Sequence, residues 1–192
     1  MEPVLEIPYL TERAPAPGRL QLVQRFVNTV DREHGREMLS DPARLGSVLA
    51  ELGLLEPDPN VASADLERAL AVREALRSLA LANNGGAADP AGLEILEQAA
   101  AAGRLVVAFD GSATARLEAS APDVDGALGA LVGIVYTAMA DGTWARLKAC
   151  QRDVCGWLFY DRSRNHSARW CQMAVCGNRT KTRAYRARRG SP

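Results

Sequence analysis

Apolar residues recur every three or four positions through much of the first 140 residues, with polar residues between them. This period is that of an α-helix with one buried face. The first such stretch follows a Pro-rich lead-in that ends at Gly18, and it predicts a helix that continues to Gly35. Its apolar positions are Leu20, Val23, Phe26, Val27 and Val30.

Three further helices are predicted from residues that start and stop helices. Each has a capping residue before its apolar pattern and a glycine after it. The start and stop signals are Asp41-Pro42 and Gly53 for the second helix, Ser63 and the Asn-Asn-Gly-Gly segment for the third, and Asp89-Pro90 and Gly103 for the fourth.

The pattern changes after Gly103, where two runs of branched or alternating residues flank Asp110-Gly111, a dipeptide typical of tight turns. One β-hairpin is predicted there. From Val124 the helical period returns in a strongly apolar helix that ends near Asp141-Gly142, and we expect it to be the central helix of the core. Residues 1–146 are therefore predicted to form a mainly α domain with one β-hairpin, an α+β fold.

Charge divides the chain into two parts, although its 23 Lys and Arg balance its 23 Asp and Glu. Residues 148–192 contain eleven basic residues and two acidic ones, a net charge of +9, and the remainder nets −9. We therefore expect an acidic N-terminal domain at 1–146 and a basic C-terminal domain at 147–192.

No export signal or membrane span is visible in the sequence. The N-terminus carries acids and prolines where a secretory signal would have a basic and then an apolar region. The most apolar stretch, residues 127–140, contains two glycines and is shorter than the roughly 20 residues that cross a bilayer. The expectation is a cytoplasmic protein without a membrane partner.

All four cysteines lie in the basic domain, as C-x4-C-x15-C-x4-C at Cys150, Cys155, Cys171 and Cys176. Two short-spaced pairs at this separation are typical of one zinc ion held by four thiolates, and a chain without an export signal disfavours disulfides or unrelated buried thiols. Four thiolates leave no position for a catalytic water, so the predicted Zn²⁺ is structural. A treble-clef or ribbon-like module ending in a basic helix is expected.

The segment from Cys150 to Arg189 resembles the CGNR-type zinc finger of bacterial transcription regulators. Its last cysteine opens the Cys-Gly-Asn-Arg signature at 176–179, and Trp157, Asp161 and Trp170 also coincide with the pattern. The preceding part resembles the ABATE domain of stress-induced regulators, most clearly in Phe-Val-Asn-Thr at 26–29. The resemblance implies a mostly helical sensing domain followed by a DNA-binding finger.

The basic residues of the second domain are the candidates for nucleic-acid contact. A helix that begins at the last cysteine would carry most of them with little apolar face to pack on a core, as expected of a surface for a polyanion. Arg179 and Asn178 also have the hydrogen-bonding groups that read guanine and adenine edges. The candidates are Arg162, Arg164, His166, Arg169, Asn178, Arg179, Lys181, Arg183, Arg186, Arg188 and Arg189.

Several alternatives remain open at this point. The same module could bind RNA, or it could dock an acidic protein surface, including the chain's own N-terminal domain. The aromatic residues Trp157, Phe159 and Trp170 could stack on bases, but a small core around the metal is the favoured interpretation. Dimerisation through the N-terminal domain would let two fingers read one site.

The N-terminal domain contains two candidate residues for an effector pocket and no motif of an enzyme active site. Asn28 and Thr29 could hydrogen-bond a small-molecule effector, although satisfying backbone groups near the helix end is the simpler role. No catalytic triad, Cys-His pair, P-loop or dinucleotide fingerprint is present in the sequence, so we do not expect an enzyme.

Overall fold

The computed structural model describes residues 15–189, with the backbone alone for 184–189. Within this range the chain alternates helices with short antiparallel strand pairs. The helices are α1 (Leu20–Val27), α2 (Pro42–Glu51), α3 (Ser63–Ala82), α4 (Pro90–Ala102), α5 (Val124–Ala140) and α6 (Asn178–Arg189), and the strands are β1 (Val30–Asp31), β2 (Arg36–Glu37), β3 (Leu105–Phe109), β4 (Ala115–Ala119), β5 (Leu147–Ala149) and β6 (Leu158–Tyr160).

The apolar core lies among α1, α2, α3 and α5, and α4 closes it on one side. Helix α5 is its centre, as predicted, and buries Leu128 and Leu131 almost completely. The turn after α4 approaches α5 closely at a pair of glycines, because a Cβ at Gly103 would lie 2.7 Å from the Cα of Gly129. Larger residues at either position would push the hairpin that follows away from α5.

Helices α2 and α4 begin as their sequences predict. The Asp41 carboxylate accepts a hydrogen bond from the Arg44 N–H (2.9 Å), and Asp89 accepts one from Ala91 (3.2 Å). Helix α3 differs, because Ser63 is its first helical residue and Ala62 occupies the cap position. The Asp65 carboxylate accepts the Ala62 N–H (2.7 Å) and satisfies the helix end instead.

Helix α1 is shorter than predicted. It ends at Val27, and Val30–Asp31 pairs with Arg36–Glu37 in a two-residue hairpin instead of continuing the helix to Gly35. The Thr29 hydroxyl donates to the Phe26 carbonyl (2.8 Å) and satisfies the helix end. Gly35 has a φ of +65°, so it serves the hairpin turn and not a helix.

The predicted β-hairpin and the α+β fold class are confirmed. Strands β3 and β4 pair antiparallel from Leu105–Ala119 to Phe109–Ala115. Their connection is longer than the predicted two-residue turn, because Asp110 accepts the N–H groups of Ser112 (2.9 Å) and Thr114 (2.9 Å) and so closes a five-residue loop.

The C-terminal part is joined to the helical core without a gap. Strands β5 and β6 pair antiparallel and place Leu147, Ala149, Leu158 and Tyr160 in the same apolar cluster as the helices. The predicted division at 146/147 stays a prediction, since the cluster is continuous across it. In residues 15–189, no helix is long and apolar enough to cross a membrane.

Candidate metal centre and basic surface

The first cysteine pair lies in the turn between β5 and β6. Strand β5 ends at Ala149, and the Cys150 N–H donates to the Trp157 carbonyl (2.9 Å) across the pair of strands. Within the turn, the Cys155 N–H donates to the Arg152 carbonyl (2.8 Å), and Gly156 adopts a φ of +56°. A residue with a Cβ is disfavoured at that φ, so glycine permits the reversal that returns the chain into β6.

The second pair brackets the start of the C-terminal helix. A single π-helical turn at Met173–Gly177 precedes α6, and the Cys176 N–H donates to the Gln172 carbonyl (3.0 Å). The Thr180 hydroxyl then donates to the Cys176 carbonyl (2.8 Å). A helix start, not a second hairpin, therefore carries this pair, which favours the treble-clef alternative over the ribbon.

The four sulfur atoms fit one zinc ion. All lie within 4.8 Å of one another, and both the Cys155–Cys171 and Cys171–Cys176 Sγ–Sγ distances are 3.7 Å. A tetrahedron with Zn–S bonds of about 2.3 Å has edges of about 3.8 Å. None of the four cysteines is in a disulfide. Cys150, Cys155, Cys171 and Cys176 therefore form a site for one structural Zn²⁺, as predicted.

The thiols strongly affect one another. Hydrogen bonds from Cys155 and Cys171 lower the pKa of Cys150 to about 4. The same contact with Cys150 raises the pKa of Cys171 far above its ordinary range. Four thiolates this close together repel one another strongly unless a cation lies among them. A bound Zn²⁺ supplies that positive charge.

A small aromatic cluster surrounds the sulfurs. Trp157 is buried beside Cys150, Cys155 and Cys176, and Trp170 packs against the same cluster. Phe159 is also buried. The burial of Trp157 and Phe159 and the packing of the half-buried Trp170 against the sulfurs agree with the favoured interpretation of a small core, since a buried ring cannot stack on a base.

A buried ion pair holds the loop between the cysteine pairs. The Lys148 ammonium donates to Asp161 (2.8 Å) and to the carbonyls of His166 (2.5 Å) and Ala168 (3.4 Å). Asp161 also accepts the N–H groups of Ser163 (2.9 Å) and Ala168 (3.0 Å). Burial alone would raise the pKa of Asp161, but these hydrogen bonds lower it to about 2. The side chains of Lys148 and Asp161 therefore hold the loop through hydrogen bonds to the backbone of several of its residues.

The structure places the predicted nucleic-acid residues in two exposed segments. One is the loop at 162–169 and the other is the start of α6, and each lies within two residues of a cysteine. The exposed residues are Arg162, Arg164, His166, Arg169, Asn178, Arg179, Lys181 and Arg183. The side chains of Arg186, Arg188 and Arg189 lie outside the described part of the chain. We call the eight exposed residues the basic surface.

Two family comparisons match the chain in sequence order. The ABATE family, described as "Putative stress-induced transcription regulator", matches residues 20–143, and the CGNR zinc finger matches residues 146–189. The chain belongs to the ABATE family. The order of ABATE region and finger agrees with the predicted architecture, and both matches support a zinc-binding regulator. Neither family is an enzyme family, and no curated protein matches the chain.

The ABATE region holds the finger through Asn28, the asparagine of the Phe-Val-Asn-Thr stretch. Its Nδ2 donates to the Leu158 carbonyl (2.9 Å), and its Oδ1 accepts the Leu158 N–H (2.8 Å). Thr29 is also buried, and its hydroxyl accepts from Arg73 (3.3 Å) while donating to Phe26. The polar groups of both predicted effector residues thus contact the protein itself. An effector role for them stays a prediction.

Helix α3 supplies the contacts that sequence reasoning missed. Arg77 donates to the carbonyls of Val27 (2.7 Å) and Gly156 (2.6 Å), and so joins α1 to the cysteine turn. At the end of the helix, the Asn84 amide donates to Ala149 (2.7 Å) and Arg169 (2.9 Å). The buried charge of Arg77 in a helix of apolar pattern is the signal that could have found this contact.

One carboxylate connects the ABATE region to the metal centre. Glu33, between β1 and β2, accepts from Arg152 (2.7 Å) and forms an ion pair with Arg179. Arg152 also lies 4.0 Å from the Cys176 sulfur. Hydrogen bonding from Arg152, with Arg179 nearby, lowers the pKa of Glu33. Arg179 is therefore engaged by its own chain before any ligand binds.

Proposed function

We propose that this protein is a cytoplasmic transcription regulator whose zinc finger binds duplex DNA through the basic surface. In this proposal the ABATE region senses an effector and sets the position of the finger. Unpaired thiols stay reduced in the cytoplasm, where a four-thiolate zinc site persists. The metal supplies no catalysis and serves only to fix the loop and the start of α6.

The observation that carries the proposal is the exposure of six cationic side chains on segments tied to the cysteine cluster. Arg162, Arg164, Arg169, Arg179, Lys181 and Arg183 are all exposed, in a C-terminal part with a net charge of +9. A duplex carries one phosphate charge per about 1.7 Å of its axis, so such a surface is attracted to it in any sequence. Because these segments are held in place, their charges stay close together, whereas the charges of a disordered tail would be distributed over a larger volume.

The contacts of Asn28 suggest how an effector could act on DNA binding. A ligand that replaced the Leu158 backbone as the partner of Asn28 would loosen β6, leaving it only the Gln24 hydrogen bond (3.3 Å) from α1 to Leu158. Because β6 leads into the loop that carries Arg162 and Arg164, that release would alter the basic surface. This proposal for coupling rests on Asn28, one of the two residues that the sequence singled out.

The test is a titration of labelled duplex DNA of random sequence with the zinc-loaded protein over a series of salt concentrations. Contact with about five phosphates gives a slope of about −4 to −5 for log K against log salt. The variant Lys181→Ala/Arg183→Ala should lower the affinity and reduce the slope by about 2. The matched control is Arg36→Ala/Arg44→Ala, which removes two exposed arginines of the ABATE region and should change neither value.

Competition with structured RNA separates duplex DNA from the RNA alternative. If RNA displaces the DNA at equal or lower concentration, the finger is an RNA-binding module. No binding to either nucleic acid at low salt would contradict the proposal.

Docking of an acidic protein surface is a second candidate, and the Glu33 contacts favour it. Arg152 and Arg179 already bind an acidic side chain of the ABATE region. This candidate predicts that the zinc-loaded protein binds duplex DNA weakly even at low salt and binds acidic proteins in a way that salt abolishes.

A further inference from the structure

A cleft opens between the β3–β4 hairpin and α5 on one side and residues 17–20 and 53–54 on the other. It has a volume of about 970 Å³, and its lining includes Val107, Leu117, Ile134 and Tyr136. In the described part of the chain, five of the eight exposed large apolar side chains lie on this hairpin and helix, namely Val106, Val107, Phe109, Tyr136 and Met139. An exposed apolar concentration of this kind marks an interaction surface.

Strand β4 borders the cleft with an edge to which no other described strand is paired. Within residues 15–189, its one strand partner is β3, and all of residues 115–119 line the cleft. The edge is only partly protected against pairing, because β4 is short and carries Arg116 and Glu118 but contains no proline, and its register with β3 runs without a bulge. An isolated two-stranded hairpin is also only marginally stable in water.

The hydrogen-bond pattern shows which backbone groups this edge offers. Asp110 donates to the Thr114 carbonyl (3.1 Å) and Ser120 donates to the Arg104 carbonyl (3.4 Å) at the two ends of the hairpin. Hydrogen-bonded pairs alternate along an antiparallel ladder, so β3 also takes the backbone groups of residues 116 and 118. The N–H and C=O groups of residues 115, 117 and 119 therefore point away from β3, toward the open edge.

The charges of β4 are complementary to a second β4 in one register. When two antiparallel copies are paired about a two-fold axis at Leu117, Arg116 of each copy lies opposite Glu118 of the other. The same register pairs residues 115, 117 and 119, the ones with outward backbone groups. An axis at Arg116 or at Glu118 would instead place like charges directly opposite each other, which is destabilising.

We propose that two copies of this chain associate through the open edge of β4, with the two-fold axis at Leu117, to form a continuous four-stranded antiparallel sheet. The partner strand covers the cleft and packs over Tyr136 of α5. An isologous contact of this kind closes after two copies, so it gives a dimer and not a fibre. The dimer does not depend on nucleic-acid binding, because β4 and α5 belong to the ABATE region.

The test measures the mass of the zinc-loaded full chain by sedimentation equilibrium without nucleic acid. The expected mass is twice that of the 20.6 kDa chain. Arg116→Glu and Glu118→Arg each place like charges across the axis, and each should weaken the dimer at least about tenfold. The double variant Arg116→Glu/Glu118→Arg restores the complementarity and should return the dissociation constant to within about threefold of the original.

The chosen substitutions lie at exposed sites, and within the monomer the single charge changes break only the Arg116–Glu118 ion pair (2.6 Å), which the double variant restores. The Arg116 and Glu118 side chains are 51% and 45% exposed, and Tyr136 is 61% exposed. Tyr136→Glu is a second variant, which places a charge under the partner strand and should also give monomers. Arg44→Glu on α2 is the control, with the same charge change at an exposed site, and should leave the dimer unchanged. Thermal melts of all variants check that each is folded.

A monomer at every protein concentration would overturn the proposal. A dimer that neither single charge change nor Tyr136→Glu weakens would overturn it as well, because the contact would then lie elsewhere. If the single variants weaken the dimer but the double variant does not restore it, the axis at Leu117 is wrong. None of these outcomes bears on whether the finger binds DNA, which the salt titration decides separately.

Discussion

Replacement of Asp161 by Asn is expected to destabilise the finger more than any other single change of charge in it. Asp161 and Lys148 are 2% and 4% exposed, and their oxygen and nitrogen are 2.8 Å apart. In Asp161→Asn the ammonium loses its carboxylate and keeps only carbonyl partners. The amide can also accept at only one atom, whereas the carboxylate accepts at both from Ser163 and Ala168.

The expected loss in the free energy of unfolding can be calculated in two ways. The pKa of Asp161 falls from its ordinary value of 3.8 to about 2, which corresponds to about 2.5 kcal/mol of stabilisation of the charged form in the folded state. Removing one partner of a buried ion pair costs about 3–5 kcal/mol. We expect a loss of about 3 kcal/mol in the free energy of unfolding, a large part of the 5–15 kcal/mol typical of natural proteins.

Urea unfolding of the zinc-loaded protein at pH 7 measures this loss, with Asp153→Asn as the control. Asp153 is an exposed acid in the cysteine turn, so its replacement should change the free energy by less than about 0.5 kcal/mol. The folded pKa of Asp161 is lowered, so its contribution is present above about pH 4 and is lost as the pH falls toward 2. The difference in the free energy of unfolding between parent and variant should become smaller over that range. A loss below about 1 kcal/mol at pH 7 would refute the reasoning.

Three further predictions concern the join between the ABATE region and the finger. Asn28→Ala leaves the buried N–H of Leu158 without its side-chain partner and leaves the Leu158 C=O with Gln24 alone (3.3 Å), and we expect a loss of about 1–3 kcal/mol in urea unfolding. Glu33→Gln frees Arg152 and Arg179 from their shared carboxylate, and it should raise affinity for duplex DNA about two- to fivefold at low salt. Chelation of zinc should lower the melting temperature and increase proteolysis after Arg162, Arg164 and Arg169, because the metal holds both ends of their loop.

Each of these has a contradicting result. An Asn28→Ala variant as stable as the parent would mean that β6 is held by apolar packing alone. Unchanged DNA affinity in Glu33→Gln would mean that Arg152 and Arg179 do not contact the duplex. A chelated protein that resists protease as the loaded one does would mean that the loop is fixed by Lys148 and Asp161 without the metal.

Much of the fold was predictable because its signals are local. Asp41 with Pro42 and Asp89 with Pro90 begin helices through contacts within one turn, so the residues themselves contain the information. The cysteine spacing likewise predicted the metal site, since four thiolates at this separation have few other uses. The end of α1 was not predictable in this way, because Asn28 binds a strand 130 residues further along the chain.

The join between ABATE region and finger was missed for the same physical reason. Arg73 and Arg77 fall on the buried side of α3, where a helical pattern predicts apolar residues. Apart from Glu74 on the same helix, their partners lie on other elements, namely Glu37 and the carbonyls of Val27 and Gly156. A charged residue at a position on the buried face of a helix indicates that such a contact exists, but the sequence does not identify its partner. The contacts that join the ABATE region to the finger could therefore not be predicted from the sequence pattern of either part alone.

The most direct test of the account compares duplex binding by zinc-loaded and metal-free protein over one salt series. The account predicts tight binding with a slope of about −4 to −5 for the loaded protein. The metal-free protein should bind more weakly with a shallower slope, because its loop and helix start are no longer fixed near each other. Equal affinity and slope in the two states would contradict the claim that zinc organises the basic surface, and absence of binding by the loaded protein would contradict the claim that DNA is its ligand.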